Sequence, residues 1–113
     1  SFIDTLEHEH IGMQRDSAMA AVMQRVAIAA GREVRMRFFV HSYDALISMV
    51  RQRLGIGLMP WGAVPLYDQA ELAAVHLSDA WARRRIKICV RRGEELPAAG
   101  QMLLDHLLAS GLR

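Results

Sequence analysis

Three short stretches of this chain carry the residue types that could do chemistry. His8-Glu9-His10 offers two imidazoles around a carboxylate, which suggests a divalent metal. On an extended segment the two histidines would share a face, but no third and fourth ligand falls at suitable spacing. His41-Ser42, with Asp44 close behind, has the types of a base, a nucleophile and an orienting acid. Neighbours on a strand point to opposite sides, so His41 and Ser42 make no catalytic pair, and Asp44 is better explained by a helix N-terminus. Gln14-Arg15-Asp16 forms a polar loop in which the Arg15 guanidinium could grip a carboxylate at two points, a solvated loop arginine being the plainer reading. What these residues favour is non-covalent binding of a small polar or anionic ligand, with no cofactor.

The elements that must position them read as mixed α/β throughout. A strand is expected over Val34–Val40, then the polar hinge His41-Ser42-Tyr43-Asp44, a helix over Ala45–Arg53, and a glycine-punctuated strand Leu54–Pro60. That is a right-handed crossover unit, and such units gather strand ends and helix N-termini at one edge where anions settle. Ser42 is expected to cap the helix, a role compatible with donating its hydroxyl to a ligand. His41, at the strand end, either lines a cleft or is plain surface. Met59 and Pro60 could supply an apolar wall, or could simply pack the core.

Before this unit, Phe2–Glu7 suits a short helical turn and His10–Met13 a strand. Asp16 or Ser17 caps a helix to about Ala30 that Gly31 stops, with Met19, Val22, Met23, Val26 and Ala30 inward and the neighbouring alanines outward. In the next strand Val34, Met36, Phe38 and Val40 are expected on one face. Helix 45–53 turns Leu46, Met49, Val50 and Leu54 inward, and Gly55 and Gly57 let the following strand pass close to it. Trp61–Tyr67 reads as a short helix or turn, Leu72–Leu77 as a strand, Ser78–Arg84 as a connection and Ile86–Val90 as a strand. Pro97 opens a final helix whose stripe is Leu103, Leu104, Leu107 and Leu108, ended by Gly111.

The 113 residues fit one domain or part of one, and an apolar share of 52% is enough for a core. Net charge is only +2, and thirteen of the 14 basic residues are arginines spread along the chain, which does not argue for nucleic-acid binding. Cys89 is the only cysteine, so no intrachain disulfide forms, and a cytoplasmic setting fits the lone thiol. No apolar run approaches the roughly 18 residues of a membrane helix. The opening Ser1-Phe2-Ile3-Asp4 reads as the middle of a domain.

Taken in order, Val40-His41-Ser42-Tyr43-Asp44-Ala45-Leu46-Ile47-Ser48-Met49-Val50 and Leu54-Gly55-Ile56-Gly57-Leu58-Met59-Pro60 resemble the effector-binding domain of LysR-type transcriptional regulators. Leu72–Leu77, Ala80-Trp81-Ala82-Arg83-Arg84 and the closing Arg91–Ala99 are similar to it too, so the likeness spans essentially the whole chain. It implies a periplasmic-binding-protein-like (type II) α/β fold, with a small-molecule cleft between two subdomains. Residues from about 10 to 67 would be the second subdomain, and those from about 72 to 113 the strand and helix returning to the first. The chain would then be a partial effector-binding domain, each site in it half a site.

The resemblance further implies a homodimer or tetramer, and contact with DNA only through an N-terminal winged helix-turn-helix that this sequence lacks. The effector residues expected are Gln14, Arg15, Asp16, His41, Ser42, Met59 and Pro60. The alternatives are a small α/β enzyme subunit, which would need a titratable cluster in a pocket, and an oligomerisation module without ligand. Apolar faces on Ile86–Val90 and the final helix are expected to make the chain self-associate.

Overall fold

The computed structural model describes residues 1–110. Three parallel strands, β1 (His10–Met13), β2 (Met36–Val40) and β3 (Ile56–Gly57), lie in the spatial order β2-β1-β3. Helix α1 (Ala18–Ala29) joins β1 to β2, and α2 (Tyr43–Arg51) joins β2 to β3. The chain thus steps one way from β1 to β2, then back across β1 to β3. With right-handed crossovers, two steps in opposite directions put the two helices on opposite faces of the sheet.

Both helices begin where a serine can take up an orphan amide. Ser17 Oγ accepts from Ala20 N at 3.1 Å, and Ser42 Oγ accepts from Ala45 N at 3.2 Å. The helix expected over Ala45–Arg53 therefore starts two residues earlier, with Tyr43 and Asp44 in its first turn and not in a hinge. Helix α1 ends at Gly31, whose φ of 68° only glycine adopts without strain.

On one face of the sheet, Ile11, Val40 and Leu46 form the core, with Met49, Val50, Leu54 and Met59 packed against it. Burying each large side chain of this kind contributes about 1.5–3 kcal/mol. Gly57 is required here: a Cβ at that position would overlap Leu46 Cδ1. Gly55 is tight for another reason, since a Cβ there would lie 2.7 Å from the carbonyl oxygen of Glu9, the residue that leads into β1, and not against the helix. On the α1 face, Ala20, Met23 and Ala27 are buried and Ala30 is exposed. Ala18, Ala21 and Ala29 face outward as expected, but Ala20 and Ala27 are buried, their small side chains suiting a helix packed close against a sheet.

Strand β2 departs from the expected alternation. Its pairing with β1 runs His10↔Met36 and then Ile11↔Phe38, which leaves Arg37 as an extra residue. Such a bulge reverses the faces beyond it. Met36 and Phe39 consequently share the Gly12 side, where a Cβ on Gly12 would meet both, while Phe38 and Val40 lie on the Ile11 side. Val34 is buried but precedes the strand, and β3 keeps only two of its expected residues.

The chain divides into two compact units, Ser1–Ala80 and Trp81–Arg113. In the first, Ile3–Glu7 and Trp61–Leu66 are 3₁₀ turns, as the short helical turns expected there. Leu72–Leu77 forms no strand: Ala73 and Ala74 give little surface to pack, and no strand edge among the described residues pairs with it. The second unit holds α3 (Ala98–Ala109), with Pro97 at its N-cap, and no buried residue among those described. Ile86–Val90 forms no strand there and is solvent-exposed, Ile86 to 80%. The expected stop at Gly111 lies outside the described residues.

Candidate functional site

Because the three strands are parallel, their carboxyl ends share one edge, and the residues after them are brought to it together. Gln14 follows β1, His41 and Ser42 follow β2, and Leu58–Pro60 follow β3. The Gln14 amide donates to the Val40 carbonyl at 3.0 Å, which ties the first loop to the end of β2. Gln14 itself takes a left-handed φ of 50°, turning the chain sharply away from the sheet. In open α/β sheets ligands settle outside strand ends where the strand order reverses, and here that point lies between β1 and β3.

At the start of α2 the Ser42 hydroxyl accepts from Ala45 N, one lone pair in use and its proton available. Asp44 stands in the same first turn, where a carboxylate complements the helix dipole. Tyr67 lies close by, its phenol held above its ordinary value by desolvation first and then by the Asp44 carboxylate. Tyr67 is a site neighbour that sequence spacing did not single out. Met59 packs against the same core cluster as Tyr43, so the end of β3 and the start of α2 meet on one face, and Pro60 caps the turn Trp61–Leu66.

Arg15 and Asp16 depart from the rest of the expected set. They line an open depression of about 840 Å³ along the outer side of α1 and β2, together with Ser17, Gln24, Met36 and Phe39. The Arg15 guanidinium lies 4.4 Å from the centre of the Phe39 ring, and Arg37 lies 5.3 Å from that of Phe38. Exposed cation–ring contacts of this kind contribute about 0.5–1 kcal/mol. Gln14, His41, Ser42, Met59 and Pro60 do not line this depression.

The histidine pair separates on folding. His8 is exposed and lies outside β1, while His10 is enclosed. Among the described residues no three histidine, cysteine or acidic side chains are placed to hold a metal ion. His76 stacks on Trp61 with ring centres 3.5 Å apart, and Cys89 is exposed.

Comparison with protein families matches residues 1–111 to the LysR substrate binding domain. The chain belongs to that family, whose members are effector-sensing regulatory domains of transcription regulators with a periplasmic-binding-protein-like fold. No curated protein and no solved structure gives a significant match. No helix among the described residues is long and apolar enough to cross a membrane.

Proposed function

We propose that this chain is a non-enzymatic sensing module that takes a small anionic metabolite at the carboxyl edge of its sheet. Gln14, His41 and Ser42 would contact the ligand directly, Met59 and Pro60 would wall it, and Arg15 with Asp16 would close over it from the α1 side. The observation that carries the reading is the strand order β2-β1-β3, whose reversal brings three loop ends and the α2 N-terminus to one edge. Free amides at that helix start and the proton of Ser42 suit an oxyanion, and Arg15 would supply the charge that Asp44 opposes.

In this reading residues from about 10 to 67 are the second of two subdomains, and those from about 72 to 113 return to the first. The effector bridges the two, and its tighter binding to the closed arrangement shifts the population of subunit arrangements in a cytoplasmic homodimer or tetramer. DNA is contacted only by a winged helix-turn-helix elsewhere in the regulator.

Calorimetric titration of the intact regulator with a panel of carboxylate and phosphate metabolites tests this. One ligand should bind, and Ser42→Ala and Arg15→Ala should each weaken it by about tenfold, the share of one charge-assisted hydrogen bond. Binding unaffected by either change, with transcription in cells also unchanged, would remove the assignment.

A further inference from the structure

His10 is the buried polar side chain of the described core, with 0% of its surface exposed. Its partners come from the residues just before it. Nδ1 lies 3.1 Å from the His8 carbonyl oxygen and Nε2 lies 3.1 Å from Thr5 Oγ1. The Thr5 hydroxyl donates in turn to the Phe2 carbonyl at 2.7 Å. The Phe2 ring, also fully buried, meets the imidazole edge-on with centres 5.8 Å apart. One side chain thus pins residues 2–8, with their 3₁₀ turn, onto β1.

Counting protons along this chain of contacts exposes a mismatch. Its two ends are carbonyl oxygens, which only accept, so its three links need three protons. A neutral imidazole and one hydroxyl supply two. Nδ1 must hold the ring proton, because the His8 carbonyl has none to give. The Thr5 proton lies toward Phe2 on the shorter link, which leaves Nε2 facing an oxygen lone pair. A proton on Nε2 would complete the chain, but the surroundings oppose it.

Burial is the largest influence and lowers the affinity of the ring for a proton below the ordinary histidine value of 6.5; the His8 backbone hydrogen bond works the other way, and the charges of His8 and Arg35 lower it further. No carboxylate among the described residues acts on the ring, and Asp4 pairs with the N-terminal ammonium at 2.8 Å. Glu9 faces Arg37 at 3.2 Å, and Asp79 accepts from the Phe2 amide at 2.7 Å. Glu7 offers its backbone carbonyl to Arg35, and Arg32 reaches the Ile3 carbonyl at 3.0 Å. A single hydrogen bond to a hydroxyl does not offset taking an unpaired charge out of water.

We infer that His10 is a proton-operated latch: its neutral, Nδ1-protonated ring clamps residues 2–8 to β1, and a second ring proton opens that junction to water. The sign follows from linkage. A histidine whose affinity is lowered on folding favours the closed junction fully above pH 6.5, and that preference is lost as the pH falls below it. The closed-to-open ratio then drops by up to about tenfold per pH unit until the folded ring itself titrates. This inference stands apart from the effector reading.

Nitrogen NMR and amide exchange on the intact chain test it. At pH 7.5 the His10 ring should be in the Nδ1–H form, the minor one for histidine in water. Between pH 6.5 and 5.5 the protection factors of the His8 and His10 amides should fall by up to about tenfold relative to that of Leu46 in α2. His10→Gln, whose side-chain amide can donate to the His8 carbonyl but cannot titrate, should hold this change to within about twofold over the same range. Should that variant not fold, the ring measurements on the natural chain still decide. An Nε2–H ring, a titration midpoint at or above 6.5, or His8 protection that tracks Leu46 would each overturn the latch.

Discussion

The two units of this chain are built from similar residues and end in different states. In Ser1–Ala80, apolar side chains on three parallel strands meet two capped helices, and Leu46 is left 1% exposed. In the unit from Trp81 onward, Ile86, Val90, Leu103 and Leu108 are as apolar as anything in that core and remain in solvent. The difference is the presence of a ladder partner. A strand contributes stability only when a neighbour takes up its amides and carbonyls and covers one face. β1 has neighbours on both sides; Ile86–Val90 has none among the described residues.

Substitutions can break or sharpen this contrast. The largest expected effect is at Leu46: changing it to Ala should cost about 2–5 kcal/mol in urea unfolding, the range for a fully enclosed leucine. The same change at Leu103 should stay within about 0.5 kcal/mol, as for exposed positions generally. Equal losses at both sites would show that the contrast is false.

Gly57→Ala comes next, at about 1–3 kcal/mol, because its methyl overlaps Leu46 Cδ1 and forces that buried side chain to shift. A double-mutant cycle checks the cause. Gly57→Ala made on the Leu46→Ala background should lose most of that cost. Ser42→Ala and Ser17→Ala should each cost about 1 kcal/mol, the usual worth of an N-cap.

The smallest effect on folding, and the most telling for the second unit, is at its surface. Ile86→Ser and Leu108→Ser should leave unfolding within about 0.5 kcal/mol of the natural chain, yet reduce concentration-dependent association in sedimentation runs. A natural chain that stays monomeric at high concentration would show that these side chains are covered within the chain itself.

How far the fold could be read from sequence follows the same line. β1 was legible to the residue, and α1 and α2 nearly so, because Ser17 and Ser42 mark their starts and Gly31 one of their ends. The apolar rhythm of α2 correctly turned Leu46, Met49 and Val50 inward. Strands at Leu72–Leu77 and Ile86–Val90 were misread because local alternation says nothing about whether a partner edge exists. The extra residue at Arg37 was invisible for a related reason: alternation continues through a bulge in sequence while the faces swap in space.

The candidate site was legible as loops at one sheet edge. Its internal relations were not: Tyr67 lying near Asp44, and Arg15 lying over Phe39, depend on where turns outside the periodic elements deliver their side chains. The enclosure of His10 was hidden likewise, since Phe2 and Thr5 cover it from a turn whose docking no periodicity encodes.

The irregularity at Arg37 bears on how this molecule avoids unwanted polymerisation. β2 is an outer strand, and an unbroken outer strand is a template onto which a stranger's backbone can hydrogen-bond. With the spacing interrupted after Met36, the regular stretch shrinks to Phe38, Phe39 and Val40, and its two aromatic rings carry guanidinium lids. A run that short, with its rings covered by guanidinium groups, gives an incoming chain too few evenly spaced groups to grow from.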